Sequence, residues 1–258
     1  MNVLAANMEW LFTEAGESTA NRIRAAAKHG LRSVEIWGWR DKDLGAIEGA
    51  LRDTGVQLLS LIVEPQLNIT DPAIRERYLT GVRESLNIAV QLGAPYLVVV
   101  AGDEMAGVSR TTQHDSVVDT LRGAVKILEQ SGVTLLLEPL NTKVDHIGTY
   151  LWSTREGLDI VREVGSPHLK LLLDAYHALV MGEHFEEVIG EDIALIGHVQ
   201  VADIPGRHEP GTGKIDWAQQ LGILRGLGYT GSFGMEYMPT VETGQSLVAV
   251  TAMVNGLV

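Results

Sequence analysis

Four polar side chains in this sequence arrive in the same way. Leu135-Leu136-Leu137 climbs to Glu138, Leu171-Leu172-Leu173 to Asp174, Ile196-Gly197-His198-Val199 to Gln200, and Phe233-Gly234-Met235 to Glu236. Pro139 follows Glu138 at once, and Pro239 follows soon after Glu236. Proline cannot donate to a sheet ladder, so each apolar run reads as a buried strand with its polar group at the carboxyl end. Any one of these is readily a polar residue leaving the core. Three carboxylates and a carboxamide on four successive strands point instead to a shared site, where the carboxylates repel unless a cation neutralises them. An all-oxygen set without cysteine suits a hard divalent ion, Mg²⁺ or Mn²⁺, whereas zinc more often brings histidine.

Other groups near these ends have chemistry of their own. His177 lies three residues past Asp174; it can hold a substrate oxygen or, as the lesser alternative, the metal, and a buried structural histidine is the competing reading. His198 is two residues before Gln200, hence on the same strand face and deeper, and reads as structural. His114, His168 and His184 fall in or near helices and turns and read as solvated. The turn-rich stretch 202–213 carries Arg207, a cation able to clamp a substrate carboxylate through paired hydrogen bonds. Glu209 beside it is either a further substrate contact or the partner of a plain salt bridge. Pro-Gly-Thr-Gly-Lys in this loop is not a phosphate loop, because the position that needs the first glycine holds His208. Asn7 and Trp10, after the first strand, can wall a small substrate; core packing is the alternative.

Such groups need elements that bring strand ends together. Strands are expected at 3–7, 32–36, 56–63, 96–101, 133–138, 169–174, 194–200 and 232–237. Helices are expected at 18–29, 41–53, after Asp71-Pro72 to Gly93, at 109–130, 153–163, 184–190, 216–227 and 241–254. Ser153 with Glu156 reads as a capping box. The third strand closes on Glu64-Pro65 and the second on Glu35-Ile36-Trp37. About eight strand–helix alternations in 258 residues predict one α/β domain over 1–258, a closed (β/α)8 barrel whose strand ends meet at a single rim. An open doubly wound sheet is the runner-up, and no Gly-x-Gly-x-x-Gly follows the first strand to support it.

Composition narrows the function. Hydrophobic content of 45% and charged content of 21% describe a soluble globular chain, and the apolar runs are strand-sized. The start of the chain lacks the basic-then-apolar order of a secretion signal, and the absence of cysteine excludes disulfides and thiolate chemistry; a cytoplasmic location is expected. A net charge of −13 with no basic patch argues against a nucleic-acid partner. A small molecule is the expected partner, no membrane is, and a homo-oligomer is left open.

At these motifs the sequence resembles the hydroxypyruvate isomerase family, within the xylose-isomerase-like TIM barrels. The matching stretches are Ala-Asn-Met-Glu-Trp-Leu-Phe, Glu-Pro-Leu-Asn, Leu-Asp-Ala-Tyr-His, Gly-His-Val-Gln-Val-Ala-Asp-Ile-Pro-Gly-Arg-His-Glu-Pro-Gly-Thr-Gly and Gly-Met-Glu-Tyr-Met-Pro. Gln200 separates it from the related ketose 3-epimerases, which usually carry histidine there. The resemblance implies metal ligation by Glu138, Asp174, Gln200 and Glu236, an acid–base pair of Glu138 and Glu236, and substrate contacts from His177 and Arg207. It implies isomerisation of hydroxypyruvate to 2-hydroxy-3-oxopropanoate. The nearest alternative is a ketose 3-epimerase or an isomerase of a longer sugar or sugar acid, such as a 2-oxo-tetronate, using the same site. A nuclease of the same superfamily is disfavoured, since it needs histidine-rich multi-zinc chemistry and a basic groove.

Overall fold

A computed structural model describes residues 3–255, so positions 1–2 and 256–258 of the expected domain lie outside the described residues. The apolar runs form β1 (Leu4–Asn7), β2 (Ser33–Glu35), β3 (Gln57–Ile62), β4 (Tyr96–Val100), β5 (Thr134–Glu138), β6 (Leu169–Asp174), β7 (Ile196–Val201) and β8 (Phe233–Met235). They pair in parallel in chain order, and β8 closes on β1, giving the (β/α)8 barrel. Helices α1 (Thr19–Lys28), α2 (Leu44–Thr54), α3 (Arg75–Leu92), α4 (Arg110–Leu128), α5 (Thr154–Val164), α6 (Ala175–Met181), α7 (Phe185–Ile189), α8 (Trp217–Gly226) and α9 (Thr243–Asn255) connect them.

Capping chemistry sets most helix ends. Asp43, Ser109 and Asp216 accept the N–H three residues on, satisfying donors that have no partner within the helix. The capping box at Ser153 is only half formed. Ser153 accepts from Glu156 N, but the Glu156 carboxylate turns to Arg110 and the Tyr150 hydroxyl, and Glu183 caps Thr154 N instead. A guanidinium outbids a neutral backbone N–H for a carboxylate.

Two boundaries differ from expectation in ways that matter. Residues 194–195 belong to a 3-10 turn (Gly190–Leu195), so β7 starts at Ile196 and runs through Val201. Helix α6 follows β6 without a loop and precedes the shorter α7, near the expected 184–190 helix. Asp174 ends the strand and also caps α6, accepting Tyr176 N at 2.9 Å. The stretch Ala-Tyr-His-Ala-Leu-Val-Met hides its helix because its first four residues are buried and supply no polar stripe.

Strand side chains alternate, so Leu135 and Leu137 join the apolar layer under the helices while Leu136 and Glu138 share the opposite, inner face. Inside the barrel, Val98, Leu136 and Leu172 pack with Ile62 and Tyr96 as a small separate core. The other side of the interior is polar: Glu35, Ser60, His198 and Gln200 are all buried there, Ser60 and Gln200 donate to Glu35, and His198 Nε2 lies 2.7 Å from it. Gly234 makes room for them, since a Cβ there would lie 2.4 Å from Glu35 Oε2 and 2.7 Å from His198 Nε2. His198 is thus structural, as its position below Gln200 suggested.

Candidate active site

Above these two half-cores the strand ends form a cavity of about 580 Å³, whose lining includes Trp10, Trp37, Glu138, His177, Arg207 and Glu236. Asp174 and Gln200 are register partners on β6 and β7. Ligand atoms of Glu138, Asp174 and His177 gather within 4.8 Å of one another, a group that fits a divalent metal. Beneath it a gap of about 20 Å³ is lined by Asn7, Glu35, Glu138, Gln200 and Glu236 among others, room for one water-sized species.

The donor set passes a chemical test for a cation. Gln200 Nε2 donates to Glu236 Oε2 at 2.6 Å and to Glu35 Oε2 at 3.3 Å, while its buried Oε1 has no partner. Glu138 accepts no hydrogen bond among the described residues, though it is buried. Burial, with Glu236 and Asp174 close by, pushes its carboxyl well above the usual carboxylate range. Burial likewise pushes Asp174 up against the pull of Arg207, and Glu236 up to about 7. Crowded, proton-seeking oxygens and an orphaned amide oxygen are what a hard cation relieves.

Arg207 already supplies one positive charge. Its Nη2 donates to Asp174 Oδ2 at 2.7 Å and to Glu236 Oε1 at 2.8 Å, and the guanidinium lies between the rings of Trp10 and Tyr176, 4.9 and 4.8 Å away. Its backbone has φ 54, a conformation disfavoured for any residue with a Cβ and found most often where a site demands it. Asp203, fully buried, organises the loop by accepting Ile204 N, Gly211 N and Ile215 N. Glu209 neither pairs with Arg207 nor lines the cavity. Its two oxygens are held by Thr240 N and Oγ1, at 2.9 and 2.6 Å. Asn7 is buried beside Glu236, with Nδ2 at 3.4 Å from Oε2 and Oδ1 engaged by Glu9 N, while Trp10 does wall the cavity.

Donors crowd the His177 ring. Asn141 Oδ1 accepts Val144 N and Asp145 N, so its amide nitrogen faces His177 Nδ1 at 2.7 Å, and Asn141 N also donates to Nδ1 at 3.2 Å. Burial, with Arg207 adjacent, holds the ring's proton affinity well below normal. Nε2 lies 3.4 Å from Asp174 Oδ2 and 3.3 Å from the Arg207 Nη1 donor, so donors face both ring nitrogens. The ring lines the cavity beside Glu138 and Asp174. Asn141 and Glu35 were not singled out from sequence. Asn141 stands inside the Glu-Pro-Leu-Asn stretch, and Glu35 ends a strand as Glu138 does.

Comparison with known proteins adds independent findings. A family model described as xylose isomerase-like TIM barrel matches residues 23–250. The chain is 30% identical to the hydroxypyruvate isomerase of Escherichia coli (strain K12), over 94% of this chain and 96% of the relative. It is also 30% identical to the 2-oxo-tetronate isomerase of Cupriavidus necator, over 94% of this chain and 95% of the relative. The crystal structure of an AP endonuclease, family 2, from Brucella melitensis superposes with a TM-score of 0.89 at 27% identity, covering 97% of this chain and 98% of that one. Among the described residues no helix is long and apolar enough to cross a membrane.

Proposed function

The chain belongs to the hydroxypyruvate isomerase family of xylose isomerase-like TIM barrels, and we propose that, as an isomerase of that family, it interconverts hydroxypyruvate and 2-hydroxy-3-oxopropanoate. The observation that carries this reading is a pair of buried glutamates, Glu138 and Glu236, lining one cavity in unlike surroundings. Glu138 is unsupported by hydrogen bonds and the more reluctant to ionise; Glu236 is braced by Arg207, Gln200 and Asn7. Paired carboxylates whose environments separate their proton affinities are suited to passing one proton.

In the forward direction one glutamate takes a proton from C3 of hydroxypyruvate, leaving an enediolate. The other end of the reaction is proton delivery to C2, while the hydroxyl proton passes from O3 to O2. Atoms balance, and no redox partner is consumed. Arg207 lies where it can face the substrate carboxylate, and His177, which lines the same cavity, can contact a substrate oxygen. Glu138, Asp174, Gln200 and Glu236 would hold a divalent ion, Mg²⁺ or Mn²⁺, which when bound supplies Lewis-acid stabilisation of that charge.

A second reading has its own support. A 580 Å³ cavity is roomy for a three-carbon acid, and its lining extends to Gln66, Asn68, Asp103, His146 and Thr149. These polar groups suit the added hydroxyls of a longer sugar acid such as a 2-oxo-tetronate, or of a ketose in a 3-epimerisation. The endonuclease name of the Brucella structure is not carried over, since a phosphate backbone would meet Asp103, Asp145, Glu138 and Glu236 at this mouth. A cytoplasmic location and a small-molecule partner complete the proposal.

The test is a screen of hydroxy-ketones and keto acids of three to six carbons on metal-stripped protein, with and without added Mg²⁺ or Mn²⁺. The expected result is metal-dependent turnover that is highest for a hydroxy-keto acid. Full turnover by a verified metal-free preparation refutes the metal role, and preference for a neutral ketose refutes the acid substrate.

A further inference from the structure

Gln200 is the one neutral member of the proposed ligand set, and a carboxamide can present either its oxygen or its nitrogen. A metal accepts only the oxygen. Something must therefore decide which way the amide is turned, and the neighbours on the polar side of the barrel interior do so. An ionised carboxylate can only accept, so an amide lying against carboxylates turns its NH₂ toward them. Gln200 Nε2 faces Glu35 Oε2 at 3.3 Å and Glu236 Oε2 at 2.6 Å, and covalent geometry then sends Oε1 the other way, where it is buried without a partner.

The two carboxylates differ in how firmly they can hold this orientation. Glu236 lines the substrate cavity, shares its other oxygen with Arg207, and belongs to the reacting pair proposed above. Glu35 does not line that cavity and is 1% exposed. Its Oε1 accepts from Ser60 Oγ at 3.1 Å, and His198 Nε2 lies 2.7 Å away, at ion-pair distance although off the line of a hydrogen bond. His198 is tied in turn to Ser232 Oγ at 2.7 Å. Gly234 is the companion feature: any side chain on β8 at this level would displace Glu35, His198 and Gln200 together.

We propose that Glu35 is a positioning residue, which turns the Gln200 carboxamide so that its oxygen faces the cation site. The inference rests on the metal-dependent reading above and goes beyond it, assigning a role to a residue outside the proposed ligand set and the substrate cavity. Groups behind a metal ligand characteristically orient it, and losing one typically costs ten- to a hundredfold in metal affinity.

The test is Mn²⁺ titration of metal-stripped protein, followed by calorimetry and by the Mn²⁺ electron paramagnetic resonance signal. In Glu35→Gln, an amide replaces the fixed acceptor and Gln200 is free to turn. The affinity for Mn²⁺ should fall roughly ten- to a hundredfold. Gln200→Glu adds a second readout that simple loosening of the barrel does not reproduce. Either oxygen of that carboxylate can ligate, so no orientation is needed, and Glu35→Gln should cost much less Mn²⁺ affinity in the Gln200→Glu background than in the wild type. A high-resolution structure of the Mn²⁺-bound wild type provides a test independent of variant folding, with Gln200 Oε1 expected on the ion and Nε2 on Glu35. Undiminished Mn²⁺ affinity in Glu35→Gln, an equal loss on Glu35→Gln in the wild-type and Gln200→Glu backgrounds, or Oε1 turned to Glu35 overturns this inference alone. Failure of the wild type to bind Mn²⁺ overturns the metal reading and this inference with it.

Discussion

Glu-Pro stands at the end of β5 and two residues past the end of β3, and the two glutamates have opposite fates. On β3 the run Leu61-Ile62-Val63 leads to Glu64-Pro65; on β5 Leu135-Leu136-Leu137 leads to Glu138-Pro139. Glu64 Oε2 accepts Trp39 N at 2.5 Å and Arg40 N at 2.8 Å, and Arg40 reaches back to the Glu64 carbonyl. The Glu64 carboxylate is a staple for the loop after β2. Glu138 meets no such donors and lines the cavity. The same local grammar thus makes a structural cap where backbone N–H groups come within reach, and leaves a carboxylate without a hydrogen-bond partner where none do. The contrast teaches that an unsatisfied acceptor, rather than the motif, marks the site.

The largest expected effect separates the two ends directly. Glu138→Gln keeps an oxygen ligand but removes the base, so kcat should fall by roughly a hundredfold or more. Because burial and the nearby Glu236 and Asp174 disfavour its charge, the same change should leave the metal-free Tm equal or higher. Steady-state rates, exchange of the substrate C3 proton in deuterium oxide and thermal melts measure both sides. Undiminished exchange in Glu138→Gln sinks the assignment.

Next in size is a pH effect at Glu236. Glu236 rises in the folded state from 4.5 to about 7, so folding takes up a proton in that window. A group with a raised folded value contributes stability that is fully present below its unfolded value and lost as pH passes the folded one. The stability of metal-free wild type relative to Glu236→Gln should therefore fall by on the order of 3 kcal/mol between about pH 4.5 and 7. Denaturant melts of both proteins across that range measure it, and a flat or rising difference contradicts the electrostatic account.

A smaller effect tests the cation between the carboxylates. Arg207→Ala should lower kcat/KM for hydroxypyruvate roughly ten- to a hundredfold, with Arg207→Lys intermediate because it keeps charge but loses the planar fork. A neutral ketose should suffer much less. Equal losses on both substrates would make Arg207 a brace for Asp174 and Glu236 rather than a substrate contact.

The smallest effect belongs to the other Glu-Pro end. Glu64→Ala strands two backbone N–H groups, which by analogy with helix caps costs roughly 0.5–2 kcal/mol. At about 2–4 °C per kcal/mol this is a modest drop in Tm. The kcat should be nearly unchanged, and a large fall there would erase the contrast with Glu138.

Much of this was legible in the residues themselves. Apolar runs of strand length alternating with capped helices determine a parallel barrel, because strands buried on both faces leave few other arrangements. The two-residue period of a strand is covalent, so Leu136 and Glu138, or His198 and Gln200, must share a face wherever the strand goes. The four strand ends could therefore be named as one rim before any contact was known. What the pattern could not supply is which acceptors meet donors. Glu64 is capped by residues 24 and 25 positions away, Glu209 by Thr240 31 positions on, and Gln200 is turned by Glu35 across 165 positions. Glu35 ends β2 as Glu138 ends β5, and Glu64 follows β3 by two residues, yet one accepts from Gln200 and the other staples a loop. The donors around His177 likewise come from Asn141, 36 positions earlier, and from Arg207, 30 positions on. Local sequence decides which way a side chain points because backbone geometry is repeated at every residue; what it finds there depends on chain closure, and only the closed barrel brings those partners together.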